Sequence, residues 1–298
     1  MYKHILVPLE RSNLSESVLP YVRRLARDFN VPVELLHVID PEIIDAARQP
    51  GGRARGSVER SIKENALRYL TRIAASFPRG AEITSALEIG KTAEVILGHA
   101  AARPATLVAM ATHGRSGIER WLLGSVASSV LAATTNPLLL VRPAENFDVS
   151  GIASLARLLV PLDGSALAEK VLPHVEALSG TLNLDVVLLR VYRVMEAAYI
   201  ADEYRFDLDL RKKKIKADAQ KYLERKVRQL RNKGARRVSS LLAEGDAAGE
   251  IIAHARAVPE TLIVMCTHGR TGLARWMLGS VADRVVRNSG DPVLLIRA

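Results

Sequence analysis

One segment of this chain occurs twice, and that repetition limits the fold more than any other feature. Thr112-His113-Gly114-Arg115 leads through Trp121 to Leu123-Gly124-Ser125. The same stretch returns 155 residues later, from Thr267-His268-Gly269-Arg270 through Trp276 to Leu278-Gly279-Ser280, and 10 of the 14 positions are identical. An apolar run precedes each copy, Thr106 to Met110 and Thr261 to Met265. A helical pattern and a short proline-led apolar run follow each, Pro137 to Val141 and Pro292 to Ile296. The pattern reads as strand, glycine loop, helix, strand. In α/β proteins a glycine loop between a strand and a helix is a place where phosphate binds.

The repetition extends beyond the loop. Leu158 to Ser165 matches Ile5 to Ser12, and Val171-Leu172-Pro173 matches Val18-Leu19-Pro20, both at an offset of 153. Gly245 aligns with Gly90 at the later offset. A period this long indicates a duplicated domain and not a solenoid. The expected division is a first domain over 1–143, a linker over 144–156 and a second domain over 157–298. The 298 residues suffice for two domains of ordinary size.

Within each half, apolar strands alternate with helical patterns. In the first half the strands are expected at 4–9, 33–39, 81–87, 105–110 and 137–141. Helices are expected from Leu14, over 58–77, from Thr92 to about Ala102, and from about Leu122 to Ala133. Pro41 to Ser57, with Pro50-Gly51-Gly52 at its centre, is expected to be a loop. Ser12 is placed to cap the first helix. The second half repeats the order, with a long helix over 206–232. The implied fold is α/β: two open parallel sheets of five strands, with helices on both faces.

Several classes of function are not expected. No apolar run reaches the roughly 18 residues of a membrane helix, and the early charges of the N-terminus do not suit a secretory signal. With one cysteine, Cys266, no intrachain disulfide can form, which favours the cytoplasm. The net charge of +10 raises the question of polyanions. Much of it sits between Arg211 and Arg237, among acids such as Asp218 and Glu224, and reads as the solvated face of a long helix. Aromatics are 4% of residues and are not interleaved with basic residues, so nucleic acid is not an expected partner.

Three features of each half should meet at the carboxyl ends of the strands. The first is the end of strand one, Pro8-Leu9-Glu10 and Pro161-Leu162-Asp163. A carboxylate there can accept hydrogen bonds from a ribose or an amine. It can equally belong to a turn in which Asp163 or Ser165 caps a helix. The second is the glycine loop. Gly124-Ser125 and Gly279-Ser280 begin helices whose exposed amides suit phosphate, with Arg115, Arg120, Arg270 and Arg275 nearby. The third is His113 and His268, which lack histidine partners at metal-ligand spacing. A loop residue bonding backbone or a ligand phosphate is expected, not a zinc ligand. Trp121 and Trp276 are expected to anchor the loops, and Cys266 to be an inert thiol. The loop is not of the Gly-Lys-Ser/Thr kind.

Taken together, these motifs resemble the universal stress protein family in tandem form. The markers are Ile-Leu-Val-Pro-Leu-Glu/Asp at strand one, Thr-His-Gly-Arg, Trp-Leu/Met-Leu-Gly-Ser-Val, and Asn/Asp-Pro-Leu/Val-Leu-Leu. The resemblance implies a Rossmann-like fold, akin to adenine-nucleotide α-hydrolases, with strand order 3-2-1-4-5. It also implies pairing of domains through Leu138-Leu139-Leu140 and Val293-Leu294-Leu295, as an internal pseudo-dimer or a homodimer. The ATP-binding branch carries Gly-x2-Gly-x9-Gly-Ser/Thr. Gly114, Gly124 and Ser125 match it, as do Gly269, Gly279 and Ser280, with Val126 and Val281 next in line. The first glycine is replaced by Ala111 and Cys266. The usual aspartate is present as Asp163 and becomes Glu10 in the first half, where Arg11 replaces a glycine. By resemblance, adenine and ribose lie near Pro8, Leu9, Val38 and Met110, or near Pro161, Leu162, Val191 and Met265.

The expected function is therefore a stress-response regulator or sensor that binds ATP, ADP or AMP, with magnesium where phosphates require it. No water-positioning base is evident, so any hydrolysis would be slow. Two alternatives stand beside it: a nucleotide-free interaction module with a degenerate site, and a nucleotidyl or phosphoryl transferase.

Overall fold

The computed structural model describes residues 1–46, 55–112, 123–142, 148–193, 205–268 and 278–297. The chain divides into two compact units, Met1–Ser154 and Leu155–Ile296.

The first unit is a parallel sheet of β1 (His4–Pro8), β2 (Val33–Ile39), β3 (Ile83–Ile89), β4 (Thr106–Ala111) and β5 (Leu138–Val141), in the order β3-β2-β1-β4-β5. Ile5 pairs with Val33 on one side and Leu107 on the other. β3 lies beyond β2, and β5 beyond β4. All of β4 and β5 is buried. Continuous apolar runs of this kind are what parallel strands covered on both faces require. β3, at the edge, carries an exposed and half-buried pattern instead.

The second unit repeats the sheet with β6 (Arg157–Pro161), β7 (Asp185–Tyr192), β8 (Val238–Glu244), β9 (Thr261–Cys266) and β10 (Val293–Ile296), again with the first strand between the second and the fourth. β8 pairs with β7, and β10 with β9.

Helices follow the strands. In the first unit they are α1 (Asn13–Glu16), α2 (Leu19–Phe29), α3 (Pro41–Ala46), α4 (Arg55–Ala75), α5 (Thr92–Ala102) and α6 (Ser125–Ala133). In the second they are α7 (Leu172–Leu182), α8 (Arg205–Asn232), α9 (Ala247–Arg256) and α10 (Ser280–Asn288), with a 3-10 turn over Ala168–Val171. No described helix is long and apolar enough to cross a membrane.

Two local expectations are corrected. The span from Pro41, expected as loop, opens with helix α3; proline fits a helix's first position because its missing N–H would be unpaired there anyway. The helix expected from Leu14 is two, α1 and α2, with Pro20 in the first turn of α2. Ser12 does cap α1: its Oγ accepts the Ser15 N–H at 3.1 Å, and Ser15 closes a reciprocal capping box.

The turn after each first strand needs a left-handed residue. Gly164 has φ +86° there, and its counterpart Arg11 has φ +65°. A side chain pays about 1–2 kcal/mol for that conformation, against about 0.5–1 kcal/mol that glycine loses to its freer unfolded chain. Arg11→Gly is therefore expected to stabilise the first unit by about 0.5 kcal/mol, seen as a small rise in its thermal midpoint. A fall would mean that the Arg11 side chain contributes more than its backbone costs.

Candidate functional site

In the second unit the carboxyl ends of β6, β7 and β9 surround a cleft of about 300 Å³. Pro161, Leu162, Asp163, Val191, Met265, Cys266, His268, Gly279, Ser280 and Val281 all line it. Leu189, Thr267, Ala168, Ala247, Ile251 and Ala282 join them. The first unit has a corresponding cleft of about 150 Å³. Pro8, Leu9, Glu10, Val38, Met110, Ala111, Gly124, Ser125 and Val126 line it, with Ser15, Leu36, Thr92, Ile96, Thr112 and Ala127. His113, Gly114 and Gly269 lie outside the described residues. So do Arg115, Arg120, Arg270, Arg275, Trp121 and Trp276.

The lining residues absent from the sequence expectation follow simple periods. Leu36 and Leu189 stand two positions before Val38 and Val191, on the same face of their strands. Thr92 with Ile96, and Ala247 with Ile251, are four apart on one helix face. Gly90 and Gly245, just before those helices, were the available signal.

The start of α10 lies against the end of β9. The Gly279 N–H donates to the Thr267 carbonyl at 2.8 Å, and its own carbonyl accepts from Asp283 N–H at 2.9 Å. No side chain among the described residues caps this helix. By contrast, α9 in the same unit is capped by Asp246, whose Oδ2 accepts the Gly249 N–H at 2.9 Å. A Cβ on Gly279 would lie 3.0 Å from the Thr267 carbonyl oxygen and 3.5 Å from His268 Cα. The backbones pass too closely for a side chain. α6 is the counterpart: the Gly124 N–H reaches the Thr112 carbonyl at 2.8 Å, and α6 too lacks a side-chain cap among the described residues.

His268 stands beside this helix start. Its Nδ1 is 3.1 Å from Thr267 Oγ1, and its Nε2 is buried with no hydrogen-bond partner among the described residues. A buried polar atom without a partner costs about 1–3 kcal/mol, and one bordering a cleft is an offer to a ligand.

Asp163 serves the turn as well as the cleft. Its Oδ1 accepts from Ser165 N–H at 2.9 Å and Ser165 Oγ–H at 2.6 Å, while Ser165 Oγ accepts from Ala168 N–H at 3.1 Å. In the first unit Glu10 Oε1 accepts from Ser12 Oγ–H at 2.8 Å.

Cys266 donates its Sγ–H to the Leu167 carbonyl at 2.9 Å, beneath the 3-10 turn. Burial pushes the thiol up to about 12. At pH 8 only about one molecule in ten thousand carries a thiolate, so iodoacetamide is expected to leave native Cys266 unmodified and to alkylate it fully in urea. Alkylation of the native chain within minutes would contradict this seating. No group of three or more histidine, cysteine or acidic side chains among the described residues could hold a metal ion.

Comparison with known proteins places this architecture. The model of the universal stress protein family matches residues 1–142 and again 155–297. A universal stress protein of Mycolicibacterium smegmatis is 25% identical over 302 residues, covering 98% of this chain and 96% of its own. The universal stress protein MJ0531 of Methanocaldococcus jannaschii is 30% identical over 141 residues, 47% of this chain and 81% of its own. In structure, a universal stress protein from Archaeoglobus fulgidus shares the fold with a TM-score of 0.67 at 20% identity, covering 99% of this chain and 98% of that one. With both halves matched by one family model and the five-stranded sheet present in each, the chain belongs to the universal stress protein family, as a tandem of two such domains.

Proposed function

We propose that the protein binds an adenine nucleotide in the cleft of its second unit and acts as a regulator whose state depends on that ligand. One observation carries the reading: the uncapped start of α10 and the unpartnered Nε2 of His268 border the same cleft. Phosphate oxygens satisfy both, by accepting from the helix amides and from His268 when Nε2 bears the proton. Met265, Val191 and Leu189 offer apolar surface to the base, and Asp163 a carboxylate to the ribose. A magnesium ion would arrive on the phosphate oxygens. A bound nucleotide biases the protein toward whichever state it contacts better, which is all that a sensor needs. The same proposal puts the protein in the cytoplasm, where an unpaired Cys266 stays reduced.

The first cleft is the weaker candidate. Counterparts at the two clefts share most of their residues, but Glu10 replaces Asp163, Ser15 replaces Ala168, Thr92 replaces Ala247 and Ala111 replaces Cys266. The first three exchanges add atoms to the smaller cleft, and only the last removes one. Only the 300 Å³ cleft reaches the lower end of the roughly 300–1,000 Å³ usual for small-molecule sites.

Calorimetric titration with ATP and AMP, after any copurifying small molecule has been released and identified, tests the proposal. Saturable heat supports it. A flat titration with no released nucleotide overturns it and leaves a nucleotide-free interaction module, the reading that the Ala111 and Cys266 substitutions favour.

A further inference from the structure

The basic charge of this protein is concentrated in one place. Between Arg211 and Arg237 stand thirteen lysines and arginines against two acids, Asp218 and Glu224. Elsewhere, twenty-nine basic side chains face thirty acidic ones. The whole excess of +10 therefore resides on α8 and the turn after it.

Burial shows how the helix uses those charges. Ala219, Tyr222, Leu223, Val227 and Leu230 are buried. Lys214, Lys221, Arg225 and Arg228 are exposed. Their spacings of seven, four and three residues put the four on one stripe, opposite the buried face, over about 21 Å of helix. Four other cations of the run are neutralised: Lys212 by Glu244, Lys226 by Glu169, Lys233 by Glu176 and Arg237 by Asp185. None of the stripe's four has an ion pair among the described residues.

The duplication says whether the fold needs this. The matching positions on α4 are Ser61, Arg68, Arg72 and Ala75, and Arg72 is tied to Glu16 at 2.8 Å. The matching run, residues 58–84, holds five basic and three acidic side chains. A universal stress protein domain thus forms without the stripe, and the charge is an addition specific to the second unit.

Against the expectation from the sequence that this face is only solvated and that nucleic acid is no partner, we infer that the outer face of α8 docks duplex nucleic acid through its phosphate backbone, without reading bases. A duplex presents one negative charge per roughly 1.7 Å of axis, and cations alone supply such affinity by releasing counterions. Single strands are a poorer fit, because they are held by stacking on aromatics, and the only described aromatic of α8, Tyr222, is buried. An anionic membrane is a poorer fit too. A helix that lies in a bilayer surface needs an apolar face to insert, and α8 spends its apolar face on its own sheet. This inference does not rest on the nucleotide cleft.

The test is fluorescence anisotropy of a labelled mixed-sequence DNA duplex titrated with the full chain across a salt series. The comparison is with Lys214→Gln/Lys221→Gln/Arg225→Gln/Arg228→Gln. Glutamine keeps helix propensity at exposed positions, and an unchanged thermal midpoint checks the fold. The wild type is expected to bind duplexes of different sequence equally. The variant should bind at least about 100-fold more weakly at about 50 mM salt, with a salt slope shallower by about 3–4. Arg68→Gln in the first unit should change nothing. The inference is overturned if the wild type leaves the duplex unbound at that salt, if the variant matches it, or if Arg68→Gln weakens binding as much. Binding to phosphatidylserine vesicles but not to duplex overturns it equally.

Discussion

Titration of the full chain with ATP is expected to saturate at one nucleotide per chain, and Gly279→Val to abolish the binding while Gly124→Val leaves it in place. The asymmetry follows from the clefts. The second is twice the volume of the first, and its wall carries Ala247 and Ala168 where the first carries Thr92 and Ser15. At Gly279 even a Cβ would press on the Thr267 carbonyl at 3.0 Å. A valine must therefore push the helix start away from β9, breaking the 2.8 Å hydrogen bond that aims the α10 amides. Such overpacking costs about 1–3 kcal/mol before any phosphate contact is lost, so roughly 100-fold or more in affinity is expected. Ala247→Thr is the gentler companion, giving the second cleft a first-cleft residue without touching the backbone. Two nucleotides per chain, or loss of binding with Gly124→Val alone, would sink the assignment to the second unit.

The second large effect is expected at Arg23, which is 3% exposed. Its Nη1 donates to the carbonyls of Val149 and Gly151 at 2.6 and 2.9 Å, and its Nη2 to Ser76 Oγ at 2.7 Å. The guanidinium also sits 5.3 Å from the centroid of the Phe77 ring. One side chain thus ties the end of the first unit to α2 and to the segment after α4. Arg23→Ala removes all three hydrogen bonds. Val149 and Gly151 are half-buried and Ser76 is exposed, so water takes up part of the lost bonding, and a loss of about 1–2 kcal/mol is expected. The Ala153 N–H, bonded to the Pro20 carbonyl at 3.0 Å, is then the remaining backbone hydrogen bond from that segment to α2 among the described residues. Amide exchange across residues 148–154 should accelerate by roughly 10-fold. Unchanged exchange there would mean that packing alone holds the segment.

The sheet was legible because its signal is local. A strand buried on both faces must be a continuous apolar run, and Leu138 to Val141, buried throughout, stands as β5 within the run that Pro137 opens. The family motifs supplied the strand order. Leu36, Thr92 and Ile96 went unrecognised because they reach the cleft from a neighbouring strand and a helix whose sequences look like ordinary core. Helix α3 was hidden by its opening proline, which reads as a turn unless it stands at a helix's first position. Arg23 gave no sign of its role, since its acceptors lie more than 120 residues away and no local pattern encodes such a contact.

Cys266 is the only thiol in the chain, and it lies in the second unit beneath the proposed ligand. Any reagent that reacts with it must wait for that half to open, and the first half contributes nothing to the signal. The labelling rate is therefore a stopwatch for one domain of two, readable in the intact molecule without tag or truncation. If a ligand must leave before the thiol is uncovered, the labelling rate falls in proportion to the unoccupied fraction, slowing by the factor 1 + [L]/Kd. Slowing the clock with a nucleotide then yields an affinity for that half alone.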